Sequence, residues 1–600
     1  MAPMDAVKRK WPMVRRGRFR LLLLAAALLL SGCLPSTPPP VPTPTPSPSP
    51  TPVPTASPLP TPTPPPSPTP APTVSLGFLL TPTASPAPTP QGGLLHPPPS
   101  AVHPGAWMLT EPIVPEPWGV NIHFTQPSSR EMALLTDLGV RFVRMDLFWH
   151  EVEREPGQYD FSAYDALVQT MAERGIRLIL ILDYGNDLYG GGDAAHASPE
   201  GRAAFARFAA AAARRYRDAG IIWEIWNEPN LDKFWHGKPD AQAYAAVAAE
   251  VVAAIRRVDP TAWIVGPATS GFPWDYLQAL GEAGVLERLD AVTVHPYRPE
   301  APESVWEDVV RLRRMLWGLD ERRDLPIISS EWGYASVEGG LSEEEQAAYL
   351  TRQWLFHFTV DVPLSVWYDW RNDGDDPRDM EHNFGLVRSD LEPKQAYVAA
   401  RQLVESLSGY RYLRRIPLGR ETDYLLLFRR GEKAALVLWT TEEAHEVTLS
   451  LPCPQIDVVE MDGESAALQP EEGLFVLRAE PSPRYLFLCT SEETAMLALW
   501  SPVRNLVPVP GGAEGRVLIE AENPFFEPLD AYFTLQMGAQ QLGVAEVQIP
   551  PGEMVKVSLP FTLTTEEEPL AFPALLRFDA PEGTPLNSAR LWLLPFDAAP

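Results

Sequence analysis

A short run of apolar or β-branched residues is followed by a longer stretch of helical periodicity eight times between Trp118 and Gly409. This alternation is typical of repeated βα units, in which helices cover a parallel sheet. Eight units in about 290 residues fit a closed (β/α)8 barrel of the α/β class, which we assign to residues 104–409. A doubly wound open sheet is the alternative, but no glycine-rich phosphate loop follows the first predicted strand. The predicted strands are 118–123, 141–147, 177–183, 221–227, 262–267, 290–295, 326–331 and 364–369.

After Gly409 the pattern changes to short strands in which apolar and polar residues alternate. This predicts a small β-sandwich over residues 410–490 and a second, immunoglobulin-like sandwich over residues 491–600. Neither segment contains a chemical motif. The two sandwiches therefore either bind sugar or brace the barrel, and we favour bracing.

The first 33 residues predict export. Seven Lys or Arg residues precede Leu21–Leu30, a run of Leu and Ala that rises only about 15 Å as a helix, which is too short for a permanent membrane span. The following Leu30-Ser31-Gly32-Cys33 resembles the bacterial lipobox, which implies cleavage and lipidation at Cys33. We expect an exported protein that is lipid-anchored to the outer face of a bacterial membrane; an ordinary signal peptide with an incidental cysteine is the alternative.

Residues 34–103 read as a disordered linker. The stretch from Pro35 to Pro99 holds 27 of the 68 prolines and no Asp, Glu, Lys or Arg. Such Thr-Pro and Ser-Pro repeats have little apolar surface to bury and favour extended polyproline II. The segment is thus expected to act as a stalk.

The net charge indicates which partners to exclude, and the cysteine content predicts a disulfide. A net charge of −28 would repel phosphate backbones and anionic lipid head groups, so nucleic acid is not expected as a partner and the membrane is reached only through the lipid. If Cys33 is lipidated, Cys453 and Cys489 remain as an even pair in an exported context, which predicts a disulfide.

Two glutamates stand at the carboxyl ends of predicted strands, where barrels carry their chemistry. The fourth strand ends in WNEPN (226–230) and the seventh in SSEWG (329–333), which places Glu228 and Glu331 at the barrel mouth. Two carboxyl groups that face each other there are what retaining glycoside cleavage requires: one donates a proton to the leaving oxygen and the other attacks the anomeric carbon.

The same strings resemble clan A glycoside hydrolases. The fuller run WEIWNEPNL (223–231), followed by FW (234–235), is most similar to family 39, with family 5 a close second. Family 39 includes β-xylosidases and bacterial endoglycosidases that cleave exopolysaccharide. The resemblance implies that Glu228 is the general acid/base, Glu331 the nucleophile and Asn227 a ligand of the sugar 2-hydroxyl.

The resemblance also implies that residues near other strand ends, among them Arg144, His295 and Tyr297, belong to the substrate-binding site. Arg144 matches an arginine beside the nucleophile, and His295 and Tyr297 match a pair on the sixth strand, with Tyr297 able to hydrogen-bond the nucleophile. Trp367 and Tyr368 must face opposite ways, and we assign the aromatic floor under the sugar to Trp367.

Four further tip residues are candidates for subsites and are equally compatible with core or rim positions: Asn121, His123, Trp149 and Asp183. Glu224 has the strand parity of Glu228 but lies deeper, so we interpret it as a buried acid that needs a partner.

The resulting hypothesis is a retaining hydrolase that cleaves β-linked poly- or oligosaccharide by double displacement, with a monomeric catalytic unit. We expect no metal or other cofactor, because the sequence has no HExxH and no Cys/His cluster in the barrel. The absence of GxSxG disfavours a serine hydrolase. A catalytically silent carbohydrate-binding or scaffold protein, and a transglycosylase that uses the same glutamates, are the alternatives.

Overall fold

The computed structural model describes residues 73–75, 109–190, 192–320, 324–564, 569–579 and 585–597, all of which belong to one compact unit, Pro70–Pro600. The predicted signal sequence and Cys33 lie outside the described residues. Within the predicted linker, only β1 (Thr73–Ser75) is described, and it pairs in parallel with Thr448–Ser450 at the edge of the first sandwich. In the described part of the chain, no helix is long and apolar enough to cross a membrane.

Eight parallel strands close into a barrel in the order β2, β3, β6, β7, β8, β9, β10 and β11, so the predicted (β/α)8 architecture is confirmed. The strands of this domain, with a small hairpin formed by β4 and β5, are β2 (Trp118–Asn121), β3 (Phe142–Phe148), β4 (Glu153–Glu155), β5 (Gln158–Tyr159), β6 (Arg177–Asp183), β7 (Ile222–Ile225), β8 (Trp263–Ser270), β9 (Ala291–His295), β10 (Ile327–Trp332) and β11 (Ser365–Trp367).

Helices alternate with the barrel strands and pack on their outer face. They are α1 (Ser129–Leu138), α2 (Trp149–Val152), α3 (Ser162–Ala172), α4 (Pro199–Arg215), α5 (Asp232–Trp235), α6 (Ala241–Val258), α7 (Trp274–Glu282), α8 (Trp306–Leu319), α9 (Glu343–Thr359) and α10 (Gln395–Leu407). Short 3-10 turns cover Asp187–Tyr189, Gly192–Ala197, Leu286–Arg288 and Pro302–Val305.

Local sequence explains where several helices begin. Ser128 and Glu131 form a capping box at the start of α1, and Ser342 and Glu345 form the same arrangement at the start of α9. Each box satisfies backbone N–H groups that the first helical turn leaves without partners.

The side chains that point into the barrel fix the phase of seven of its eight strands, all except β2. They form one buried cluster made of Phe142, Ile179, Ile222, Val265, Ala291, Ile328, Leu364 and Val366. Because side chains alternate between the two faces of a regular strand, residues two or four positions further toward the mouth also point inward, unless the register shifts, as it does between Ser329 and Trp332 of β10.

The first sandwich packs a six-stranded sheet, in the order β12, β13, β14, β19, β16, β17, against a sheet formed by β1, β15 and β18. Its elements are β12 (Arg411–Ile416), β13 (Asp423–Arg430), β14 (Lys433–Thr440), β15 (His445–Ser450), β16 (Ile456–Val459), β17 (Ser465–Leu468), β18 (Phe475–Ala479) and β19 (Arg484–Phe487), followed by α11 (Glu492–Leu497). Cys453 and Cys489 form a disulfide in this domain.

The second sandwich pairs a three-stranded sheet, in the order β20, β22, β25, with a five-stranded sheet, in the order β21, β27, β26, β23, β24. Its strands are β20 (Trp500–Pro502), β21 (Leu506–Pro510), β22 (Glu514–Glu522), β23 (Leu529–Met537), β24 (Gln540–Ile549), β25 (Met554–Thr562), β26 (Phe572–Asp579) and β27 (Pro585–Phe596). The predicted β domains after the barrel are confirmed.

Buried polar contacts join both sandwiches to the barrel. The indole N–H of Trp439 donates to Glu303 Oε1 at 2.8 Å, and Arg352 binds the same carboxylate through Nε and Nη2 at 2.8 and 2.6 Å. Asp361 accepts hydrogen bonds from the backbone N–H groups of Asn505 and Leu506. These contacts favour the bracing role for the sandwiches.

Candidate active site

The turn after β7 presents Glu228 at the barrel mouth. Two residues of WNEPN have left-handed backbone, Trp226 with φ 67° and Glu228 with φ 45°. The backbone N–H of Glu228 donates to the carbonyl of Ala268 at 2.9 Å, which ties the turn to β8. Left-handed non-glycine residues cost free energy and cluster at functional sites, where the surrounding structure holds them.

The two predicted catalytic glutamates face each other. One carboxylate oxygen of Glu228, one of Glu331 and one ring nitrogen of His295 all lie within 4.8 Å of one another. Only 8% of the Glu228 side chain and 12% of the Glu331 side chain are exposed. The short separation suits direct attack on the anomeric carbon, because inverting enzymes keep the carboxyl groups about 6.5–9.5 Å apart to admit a water.

Arg144, on β3, is the centre of the site. Its Nε donates to Glu224 Oε2 at 2.6 Å and its Nη1 donates to Glu331 Oε2 at 2.5 Å. Nη1 also contacts Asn121 Oδ1 at 3.3 Å, while Nη2 contacts Asn227 Oδ1 at 2.9 Å and His295 Nε2 at 3.3 Å. A guanidinium has five N–H groups, and each has one acceptor here.

Both oxygens of Glu331 accept hydrogen bonds. Arg144 donates to Oε2, and the Tyr297 hydroxyl donates to Oε1 at 2.9 Å. Burial, and then the charge of Glu331, raise the pKa of Tyr297 well above its usual value, so the phenol keeps its proton. An adjacent cation and a neutral donor both favour the ionised form of the carboxyl group, which is the form that a nucleophile needs.

Glu228 has a different environment. His295 Nδ1 lies 3.0 Å from Glu228 Oε1, and the other ring nitrogen faces Arg144 Nη2, which can only donate. His295 Nε2 is therefore the acceptor, and Nδ1 carries the hydrogen that is donated to Glu228. In the described part of the chain, Arg144 forms ion pairs with Glu224 and Glu331 and not with Glu228, so the second oxygen of Glu228 remains available to hold a proton for a leaving group.

Glu224 is the deep counter-ion of Arg144, as its parity predicted. Both side chains are fully buried, and their ion pair spans 2.6 Å. Burial opposes the charge of Glu224, but the positive charge of Arg144 and the hydrogen bonds that Glu224 accepts together outweigh burial and lower the pKa of Glu224 below its ordinary value. Glu224 thus neutralises the charge of Arg144 from the barrel interior, while Arg144 also binds the carboxylate of Glu331.

The aromatic residue that faces the site from β11 is Tyr368, not Trp367. Leu364 and Val366 point into the barrel, so Tyr368 shares their face and Trp367 has the opposite one. Trp367 is fully buried, and its indole N–H donates to the carbonyl of Phe384 at 3.3 Å, so it cannot serve as the floor under a sugar. Tyr368 is half-buried, and burial together with nearby charges, including that of Glu331, raises the pKa of its phenol.

Gly333 explains how the end of β10 accommodates Tyr368. A Cβ atom at Gly333 would overlap the backbone carbonyl of Tyr368, so any larger residue would separate the ends of β10 and β11. The glycine in SSEWG therefore has a steric reason in this fold.

Three other predicted sugar contacts need correction because the side chains have no accessible surface. Trp149 is fully buried and donates its indole N–H to Glu153 Oε2 at 2.5 Å, so it belongs to the core behind the mouth. Arg144 and His295 are also fully buried, and they act on the two glutamates instead of touching substrate. Asn227 and Tyr297 retain exposed surface at the site.

Sequence reasoning missed Tyr184, Asp146 and Asp369. The hydroxyl of Tyr184 accepts from Asn227 Nδ2 at 3.1 Å, and the ring stacks on Phe234 at a centroid distance of 6.2 Å. Asp146 stands two residues after Arg144 on the same strand face, a spacing that could have identified it. Asp369 follows β11, where nothing in the sequence indicates a side-chain direction.

The described residues contain one His/Asp/Glu grouping with a spacing that could hold a metal ion, and it is Glu228, His295 and Glu331. The guanidinium of Arg144 already binds Glu331 at 2.5 Å. A second cation beside it would meet like charge, so the arrangement fits acid/base and nucleophilic chemistry better than metal binding.

Comparison with known proteins agrees with the barrel and its motifs. The family model "Cellulase (glycosyl hydrolase family 5)" matches residues 109–374. No curated protein matches the chain. Among solved structures, a family 39 glycoside hydrolase from the gut symbiont Bacteroides cellulosilyticus WH2 has a TM-score of 0.55 at 24% identity, covering 62% of this chain and 81% of its own. A family 39 β-xylosidase from Caulobacter crescentus has a TM-score of 0.49 at 19% identity, covering 64% of this chain and 98% of its own.

The family model spans both glutamate motifs, which confirms the predicted relation to clan A glycoside hydrolases. The barrel is a glycosidase domain of the retaining clan A type.

Proposed function

We propose that this protein hydrolyses a β-linked poly- or oligosaccharide by double displacement, with Glu331 as nucleophile and Glu228 as acid/base. The observation that carries the proposal is the contrast between the two carboxyl groups. Glu331 accepts from Arg144 and Tyr297 through both oxygens, whereas Glu228 lies within 4.8 Å of it and has a neutral histidine as its partner.

In the first step, an oxygen of Glu331 attacks the anomeric carbon while Glu228 gives its proton to the departing glycosidic oxygen. The bond between the sugar and the leaving group breaks, and an ester joins the sugar to Glu331. In the second step, Glu228 takes a proton from water, whose oxygen attacks the same carbon and releases Glu331 as a carboxylate. Two inversions retain the anomeric configuration.

The remaining groups at the mouth suit the charge changes of this reaction. Arg144 and Tyr297 stabilise Glu331 before attack and after release, when it is ionised. Asn227, held by Arg144 and Tyr184, is placed to bind the 2-hydroxyl, and Tyr368 offers a half-buried ring to the sugar. Aromatic rings commonly pack against the apolar faces of ligands.

The place of action in this proposal is the cell surface. The basic and apolar segments before Cys33, and the proline-rich residues 34–103, support a lipid-anchored enzyme held away from the outer face of a bacterial membrane. Replacement of Cys33 by Ser should release the protein from the membrane fraction. Continued membrane association of the Cys33→Ser protein would contradict the lipid anchor.

Azide rescue tests the two catalytic roles. Glu228→Ala should form the covalent intermediate from an activated aryl β-glycoside and then stall, and azide should release it as the β-glycosyl azide. Glu331→Ala lacks the attacking group, so azide should give the inverted α-azide. Glu173→Ala, an exposed substitution at the residue that follows α3, is the matched control and should leave turnover unchanged.

Opposite azide anomers would reverse the two roles. Full hydrolysis by both variants would refute the site, and a wild-type protein that binds glycans without cleaving them would favour the scaffold alternative. Products longer than the substrate would favour transglycosylation, in which a sugar hydroxyl replaces water in the second step.

A further inference from the structure

A groove on the outside of the barrel lies between α7, α8 and the end of the second sandwich. It has a volume of about 500 Å³. Its lining includes Trp274, Gln278, Arg311, Met315 and Asp597. A concave site of this size that combines apolar side chains with a few polar groups is typical of ligand-binding sites in proteins.

The second sandwich forms one wall of this groove and is fixed to α8. The ring of Phe596 lies 5.8 Å from that of Trp317, and both belong to an apolar cluster shared by α8 and the second sandwich. Gly318 eases the close approach of the two domains, because a Cβ atom there would lie only 3.2 Å from the backbone carbonyl oxygen of Asp597. Packing therefore holds this wall of the groove in place.

Arg311, on α8, is a donor that the fold leaves available to a ligand. Its guanidinium carbon lies 4.0 Å from the ring centroid of Trp274, and Phe272 stacks on the same indole at a centroid distance of 5.6 Å. Cation–π attraction positions the guanidinium and leaves the N–H groups at its edge available. Arg311 is exposed, and within the described part of the chain it has no hydrogen bond or ion pair.

The first turns of α7 supply acceptors to the same groove. Asp275 and Gln278 are exposed, and Gln278 Nε2 donates to Glu282 Oε1 at 3.1 Å. Among the described residues, neither Gln278 Oε1 nor the carboxylate of Asp275 accepts a hydrogen bond. Met315 and Leu319 of α8 add apolar surface between these polar groups.

The charges that line the groove balance. Arg311 and Arg314 face Asp275 and Asp597. A strongly charged ligand would meet like charge as well as opposite charge, whereas a hydroxyl group can donate to a carboxylate and accept from a guanidinium. The lining therefore suits a ligand with many hydroxyl groups and with apolar C–H faces, which is the chemistry of a sugar chain.

The groove begins near the side of the mouth from which the leaving group departs. β8 lies beside β7 in the barrel, and the side chain of Asn230, two residues after Glu228, exchanges hydrogen bonds of 2.9 and 3.0 Å with the backbone of Ser270. Trp274 follows four residues later as the first residue of α7. Because Glu228 protonates the departing oxygen, the part of a polymer beyond that oxygen starts on this side of the mouth.

We infer that this groove binds sugar units of a polysaccharide that extends from the leaving-group side of the active site, with Arg311 as the main donor and Gln278 as an acceptor. The inference rests on the proposed glycosidase function and specifies its substrate as a polymer. Contacts remote from the reacting bond stabilise the bound substrate and the transition state equally, so they lower KM for the polymer and leave kcat unchanged.

Polymeric and short substrates are compared in the same variants to test this inference. The polymer that the wild-type protein cleaves fastest among xylan, β-glucan, galactan and mannan is paired with the aryl β-glycoside of the same sugar. Arg311→Ala should raise KM for the polymer by about fivefold or more at unchanged kcat, and kcat/KM for the aryl glycoside should stay within about twofold. Gln278→Ala should change KM in the same direction. Arg257→Ala, an exposed substitution on α6, is the matched control and should change neither substrate.

Arg311→Lys separates hydrogen bonding from charge. Lysine keeps the positive charge but lacks the planar set of donors, so KM for the polymer should rise nearly as much as in Arg311→Ala. An unchanged KM in Arg311→Lys would overturn the assignment of hydroxyl binding. An unchanged KM in Arg311→Ala, or an equal loss for the polymer and the aryl glycoside, would overturn the groove as a polymer site.

Binding without turnover distinguishes failure of the groove from failure of the glycosidase function. In gels that contain the same four polymers, Glu228→Gln protein should be retarded by at least one, and Arg311→Ala in that background should restore its mobility. Cleavage of aryl glycosides with no cleavage or binding of any polymer would overturn the groove and leave the glycosidase function intact. Retardation that depends on Arg311 in a protein that hydrolyses nothing would support the groove and refute the glycosidase function.

Discussion

Removal of the Glu224 charge should destabilise the barrel by about as much as a hydrogen bond to a charged group contributes to stability. In Glu224→Gln, Arg144 keeps Glu331 as a counter-ion at 2.5 Å, so the guanidinium is not left unpaired. The cost should lie below the about 3–5 kcal/mol of a buried pair that loses one partner, and near the about 1.5–3 kcal/mol of a hydrogen bond to a charged group. We expect about 2–3 kcal/mol, or a fall in Tm of about 3–5 °C for a barrel of about 300 residues.

Calorimetry at several pH values tests this estimate and its electrostatic origin. Because the pKa of Glu224 is lower in the folded protein than in the unfolded chain, its stabilisation is complete above the unfolded value and is lost as pH falls through the folded value. The Tm difference between wild type and variant should therefore be constant from pH 8 to 5 and narrow below about 4.5.

A matched control keeps the bond length and changes only the burial. The pair of Arg378 and Glu338 also spans 2.6 Å, but the two side chains are 75% and 56% exposed. Glu338→Gln should not measurably change Tm, because exposed ion pairs contribute little. Equal effects of the two substitutions, or a difference for Glu224→Gln that persists unchanged to pH 3, would refute the argument.

Three further predictions concern the mouth of the barrel. Tyr297→Phe should lower kcat/KM by about 10- to 100-fold at unchanged Tm, since it removes a hydrogen bond to a charged nucleophile; an effect below threefold in steady-state kinetics would contradict that contact. Tyr368→Ala should lower kcat/KM by about tenfold with little change in Tm, whereas Trp367→Ala should mainly lower Tm, and the reverse pattern would restore Trp367 as the sugar floor. The pKa of His123 is raised to about 9 in the folded protein, so protonated His123 stabilises the fold fully below the pKa of the unfolded chain, and this stabilisation is lost as pH rises through about 9. The Tm difference between wild type and His123→Gln should therefore shrink from pH 7.5 to 9.5. A constant difference in thermal melts would contradict the pairing of His123 with Asp369.

The barrel was predictable because its signal is periodic and repeats eight times. The predicted strand 177–183 agrees with β6 to the residue, and the other barrel strands differ from the prediction by a few residues at their ends. The positions of Glu228 and Glu331 followed from the same periodicity, since strand ends meet at one mouth.

The choice between Trp367 and Tyr368 could not be made from the sequence because β11 lies in an apolar run on both faces. Leu364, Val366 and Trp367 are all buried, so the sequence shows no alternation that would fix the pleat. Trp149 failed for a related reason: it is the first residue of α2, and the helix turns it away from the mouth into the core. The side-chain directions of Trp367 and Trp149 both depend on the elements packed around them, which the local sequence does not specify.

The partners of Arg144 explain why the two glutamates differ although their motifs look alike. The guanidinium of Arg144 donates a hydrogen bond directly to Glu331, whereas Glu228 interacts with His295. The same guanidinium donates to His295 Nε2 and so determines the tautomer of that ring. One cation thus favours charge on the first carboxyl group and places a neutral N–H against the second. The separations along the chain, 187 residues from Arg144 to Glu331 and 151 to His295, are too long for any local pattern to reveal this division. The order of the motifs and the hydrogen-bond chemistry of Arg144 are independent arguments, and both support Glu331 as the nucleophile and Glu228 as the acid/base.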